Sequence, residues 1–170
     1  KFHRIFRVNK LFSSVFAPRK IVMSSVIDNS SIIYGLDLRD RLKENIEIPA
    51  MDMLKSTAMN VMIALFALFI APFKKLKPIK YCLEAVKWAL RASNYYSFED
   101  SEKYEVLTSR FQQLEKYSST ARHAQIYYKR FLDLRQNPRL DLGFMLRTPL
   151  RVLKIHVKGL IYSKILGKKR

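Results

Sequence analysis

The sequence predicts an all-α protein: an extended helical chain with one transmembrane or fully buried apolar helix, one long amphipathic helix and a basic amphipathic helix at the C-terminus. Three observations predict it. Gly is scarce, at 4 of 170 residues, which disfavours Gly-rich phosphate loops and sheets with many tight turns. Long stretches are rich in Leu, Ala, Met, Lys and Arg, residues that favour helix. Residues 56–73 carry no charge at all, whereas apolar residues recur at spacings of three and four over residues 104–134.

The first element is a basic arm, residues 1–27. It holds Lys1, Arg4, Arg7, Lys10, Arg19 and Lys20, four serines and no acid, a composition like that of a mitochondrial targeting segment. The chain begins at Lys1 rather than Met, which fits a processed product. Residues 28–49 read as a polar linker with a short helix. Asp28, Asn29, Ser30 and Ser31 make the break, Asp37 caps the helix, and Pro49 suits the first turn of the next one.

The apolar helix occupies residues 50–77 together with its basic exit, Lys74, Lys75 and Lys77. Its uncharged part, 18 residues, spans roughly 27 Å at about 1.5 Å per residue. That is just enough for a hydrocarbon core about 30 Å thick if Lys55 and Lys74 snorkel. Burial inside a protein core fits the same composition. Asn60 is the polar exception in the run.

Residues 78–136 read as a hairpin-like soluble part, near-neutral along its second helix. Pro78 opens a helix that runs to about Ser93, and Trp88, Tyr95 and Tyr96 suit either core packing or the headgroup level of a membrane. Asn94 to Asp100 reads as a break, with Ser97 and Asp100 in capping-box spacing. One long helix is then expected to Gln136, with a weakening of its apolar stripe at Ser118, Ser119 and Thr120. Residues 137–170 form the C-terminal segment. Its helix is expected to start at a Thr148 cap with Pro149 in the first turn, and to stop at Gly167. Leu150, Leu153, Val157, Leu160 and Ile161 give it an apolar side; Arg151, Lys154 and Lys158 give it a basic one.

The net charge is +18, and so large an excess calls for an anionic partner. The excess sits in the N-terminal arm, after the apolar run, and at the C-terminus. The candidate contacts to anionic headgroups are therefore Lys74, Lys75, Lys77, Lys80, Arg151, Lys154 and Lys158. The candidate span is marked by Met59, Ile63, Phe66, Phe69 and Ile70. Catalytic chemistry finds no footing. His3, His123 and His156 are scattered, with no Cys, Asp or Glu at ligand spacing, and His156 reads as packed or interfacial. The acid pairs Asp37 with Asp40 and Glu44 with Glu47 lie among bases. Cys82, the single cysteine, reads as a small buried residue. No metal and no cofactor is expected.

These readings converge on an expectation: a non-catalytic accessory subunit of a mitochondrial inner-membrane complex of the respiratory-chain or ATP-synthase kind. Its partners would be other subunits of that complex and anionic phospholipid, cardiolipin among them. Two rival expectations stand beside it. One is a mitochondrial ribosomal protein of the matrix, with basic arms on rRNA. The other is a peripheral membrane-shaping protein that works through its amphipathic helices.

Overall fold

Local helix signals are obeyed at most positions, and tertiary contacts overrule them at a few. The computed structural model describes residues 18–29, 48–74, 76–98 and 102–167. Among these, the chain forms six helices and no strand: α1 (Arg19–Asn29), α2 (Ala50–Ile70), α3 (Lys77–Phe98), α4 (Tyr104–Leu114), α5 (Ala121–Gln136) and α6 (Leu142–Gly167). The expected helix after Asp37, most of the basic arm and Lys75 lie outside the described residues.

α2, α3 and α6 pack against one another and form the centre of the fold. Phe66 meets Tyr81 edge to face, and at the other end Met53 clusters with Ala92 and Tyr95. α2 and α3 are therefore antiparallel. Thr148 lies beside Cys82, and the Ser97 hydroxyl donates to the Gly159 carbonyl at 2.9 Å, so α6 runs parallel to α3. The seam between the three helices is lined largely by small residues: Ala64 and Ala67 from α2, Ala85 and Ala89 from α3, Gly159 from α6. Small side chains let helix backbones approach closely, as they do where helices associate in a bilayer.

The α4–α5 hairpin packs on the α3–α6 side through Phe111, Tyr127, Tyr128 and Phe131. α1 packs at the N-terminal end of α2. There the Asp52 carboxylate accepts from the Lys20 backbone N–H at 2.7 Å and satisfies a first-turn donor of α1.

Four expectations need correction. The single long helix of residues 100–136 is two helices. The run Ser118, Ser119, Thr120 competes for backbone hydrogen bonds: the Thr120 N–H donates to the Ser118 hydroxyl, and the chain turns back. The reversal lets Tyr104 pack edge-on against Phe131. The last helix starts seven residues earlier than expected, because Asp141, not Thr148, caps it; its carboxylate accepts from the Phe144 N–H at 2.9 Å. Pro149 consequently lies inside α6, where it lacks the donor for one helical bond.

α3 does not end at Ser93 but continues to Phe98. Ser93, Asn94 and Ser97, poor helix formers locally, find partners on other helices instead. Asn94 accepts from Arg110 at 2.9 Å, and Ser97 binds Gly159 as above, so it is not a cap.

The closest approach of α3 and α6 yields a test. A Cβ placed on Gly159 would lie 2.8 Å from the Ser93 Cβ and 3.3 Å from its Cα. Helix propensity alone favours Gly159→Ala by about 1 kcal/mol. Overpacking costs roughly 1–3 kcal/mol and opposes it. We expect Gly159→Ala to lower the thermal midpoint, and Ser93→Gly in the same chain to recover part of the loss. A rise in the midpoint of the single variant would show that α3 and α6 are not in contact there.

Candidate interaction surface

Two of the three central helices turn a row of large apolar side chains outward. On α2 the exposed residues include Met51, Leu54, Met62, Leu65, Phe66 and Phe69, the last 74% exposed. On α6 they are Leu142, Leu146, Leu150, Leu153, Val157 and Ile161, at spacings of four, four, three, four and four, with Leu146 and Leu150 at 65% and 67%. α2 and α6 pack together, and both stripes lie on the outside of the pair. Twelve large side chains, 42% to 74% exposed, together show water more apolar surface than the few hundred Å² patch of an ordinary soluble monomer. α2 is also the one described helix long and apolar enough to cross a membrane, with 28% of its apolar window buried.

A polar cluster lies within the apolar interior behind this surface. His156 of α6 is fully buried between Asn60 of α2 and Ser93 of α3, with ring nitrogens 3.3 Å from the Asn60 amide nitrogen and 3.3 Å from the Ser93 hydroxyl. The Asn60 amide also donates to Ser56, at 3.2 Å. With no acid beside it, the imidazole stays neutral: burial pushes its pKa from 6.5 down to about 3. The Asn60 carbonyl oxygen is left without a partner.

A second buried group ties the α4–α5 turn to α6. Arg151 donates to Glu115 at 2.9 Å, with side chains 8% and 2% exposed. The Tyr128 hydroxyl donates to the other oxygen of the same carboxylate, and the Tyr127 ring lies beside the guanidinium. A third network joins Tyr127 to Thr148 at 2.9 Å, while the Thr148 hydroxyl donates back to the Phe144 carbonyl at 2.8 Å. Burial raises Tyr127 and Tyr128 above the ordinary phenol range and pushes the Cys82 thiol up to about 12, so all three stay protonated and uncharged at neutral pH.

The residues singled out from sequence divide accordingly. Lys74, Lys77 and Lys80 are exposed at the α2–α3 end, alongside Phe73 and Leu76. Lys154 is exposed and Lys158 half-buried on α6. Arg151 is a correction: it does not face an anion in solvent but is buried and neutralised by Glu115, because the apolar stripe of α6 takes the outside and the opposite face turns inward. Of the span markers, Phe66 and Phe69 are exposed, whereas Met59, Ile63 and Ile70 are half-buried at the edges of the face. His156 is packed as expected, His123 is exposed, and His3 and the acid pairs lie outside the described residues.

Sequence reasoning missed Asn60 as an interhelical contact and Glu115 as a buried acid. Asn60 alone gave a signal, as the polar exception within an apolar run. Among the described residues, no three His, Cys, Asp or Glu side chains converge. Comparison with known protein families, curated proteins and solved structures gives no match for this chain.

Two outcomes follow from the polar interior. Arg151→Ala would leave Glu115 buried without its partner and is expected to cost about 3–5 kcal/mol; Arg151→Met with Glu115→Gln should cost much less. Equal losses in urea titrations of the two variants would refute a buried pair. For His156 the folded pKa lies below the unfolded one, so between pH 6.5 and about 3 the unfolded chain binds the extra proton. Stability should therefore fall by about 1.4 kcal/mol per pH unit as pH drops through that window. His156→Gln should remove that part of the slope, measured as the difference between the two proteins' unfolding midpoints across pH.

Proposed function

We propose that this chain is a non-catalytic accessory subunit of a mitochondrial inner-membrane complex of the respiratory-chain or ATP-synthase kind. The apolar face formed by α2 and α6 is the observation that carries the reading. A surface of that size needs cover, and lipid provides it at no cost in lost hydration. Lys74, Lys77 and Lys80 stand exposed where α2 leaves its apolar run, which suits contact with anionic headgroups, cardiolipin among them. The acid-free composition of residues 1–27 supports the mitochondrial address.

An accessory role is supported by how the polar groups are used. His156 binds Asn60 and Ser93, Arg151 binds Glu115, and the two groups hold helices together. The α4–α5 hairpin shows water a mixed surface with Tyr117 and Ile126 exposed, which suits protein neighbours. The ribosomal and membrane-shaping roles draw no comparable support from a particular contact.

Carbonate extraction of mitochondrial membranes at high pH tests the reading. The protein should stay in the pellet and co-purify with a membrane complex in mild detergent. A chain with Leu146→Gln, Leu150→Gln and Leu153→Gln should fold with an unchanged or higher midpoint yet move into the supernatant. Release of the unaltered protein by carbonate, or its sedimentation with ribosomal subunits, would overturn the proposal.

A further inference from the structure

The length of α2 suits a bilayer crossing, but its neighbours do not. α3 runs antiparallel along it, with Phe66 against Tyr81 at one end and Met53 against Ala92 at the other. Glu84 and Lys87 of α3 are therefore level with the middle of α2. Both point away from α2 and α6: Glu84 is exposed, Lys87 half-buried, and they pair with each other at 3.0 Å. Lys80 continues the same stripe at helical spacing, whereas Arg91, one turn further on, is taken up by Ser25 of α1 and the Tyr104 ring of α4. If α2 crossed the bilayer, this stripe would be carried to its centre, where each charged side chain costs about 2.5–3.5 kcal/mol. A single i,i+3 pair returns only a fraction of that.

The apolar face, in contrast, is one-sided. It is two helices wide, about 10 Å per helix, and about 30 Å long from Ala50 to Ile70. Its margin is basic. Lys74 and Lys77 are exposed at one end, and Arg147 and Lys154 lie beside the outward stripe of α6. An apolar face with a rim of Lys and Arg and a charged opposite face is the pattern of a structure lying in the plane of an anionic interface.

We infer that α2 does not cross the bilayer, and that α2 and α6 lie together in a single leaflet, parallel to its plane, with their apolar side chains among the acyl chains, the rim bases at the phosphate level and the charged stripe of α3 turned to water. This rests on the membrane attachment proposed above and specifies its geometry.

Single cysteines introduced into the full chain test it: Ala50→Cys and Lys74→Cys at the two ends of α2, and Glu84→Cys at mid-length on α3. All three positions are exposed. Native Cys82 is buried with its thiol pushed up to about 12, so the unaltered chain serves as the blank. A membrane-impermeant maleimide is applied to sealed vesicles from cells expressing each variant, before and after detergent. The inference expects all three sites to share one side: all labelled without detergent, or all labelled only with it.

Labelling of residues 50 and 74 from opposite sides, with residue 84 unreactive until detergent is added, would overturn the in-plane arrangement and leave membrane attachment standing. Recovery of the unaltered protein in the carbonate supernatant would overturn the attachment itself, and the inference with it.

Discussion

Close approach of three helix backbones is the constraint on which this fold depends. α3 and α6 come near enough at Ser93 and Gly159 that a single methyl group would collide. Along the same seam α2 offers Ala64 and Ala67, and α3 offers Ala85 and Ala89. The narrow seam takes the small residues, larger ones such as Met53 of α2 and Phe144, Met145 and Ile155 of α6 fill the interior elsewhere, and the remaining large apolar side chains of these two helices form the exposed face.

The same narrowness explains why polar side chains can be tolerated inside. Ser56, Asn60 and Ser93 are small, and each lies close enough to a partner to recover a hydrogen bond lost to water. His156 fits because it is neutral and flanked by an amide and a hydroxyl, neither of which requires a charge on the ring. The buried Arg151–Glu115 pair is of another kind. Desolvation of two ions offsets much of their attraction, so it adds little net stability, but it fixes the α4–α5 turn against α6 in one position.

Legibility followed the range of the interactions. Local signals placed α2 well: Pro49 before it, an uncharged run within it, and lysines after it were enough. The apolar stripe of α4 and α5 was legible too, and its weak point at residues 118–120 marked where the helix breaks. The beginning of α6 was not. Thr148 and Pro149 make a good local start, but Asp141 makes a better one and has Arg130 as a second partner. The end of α3 was missed for the converse reason. Ser93, Asn94 and Ser97 terminate helices in isolation, yet here each is paid back by a contact more than ten residues away.

Arg151 shows the limit most directly. Spacing assigns Arg151, Lys154 and Lys158 to one basic face, and spacing alone cannot divide that face between solvent and interior. The division depends on Glu115, 36 residues earlier, and on the reversal of the chain at residues 118–120 that brings it near. Once Arg151 is neutralised inside, α6 has a largely apolar exterior that joins the exterior of α2. A hydropathy window reads α2 as a rod that is apolar on all sides, whereas in the fold it contributes one side of a two-helix layer whose other side, on α3, is charged. The length of the apolar run and the sidedness of the folded layer are separate quantities. It is the second that decides how such a protein can meet a bilayer, because a lipid leaflet sees the outward face of the assembled helices and never the sequence of one helix alone.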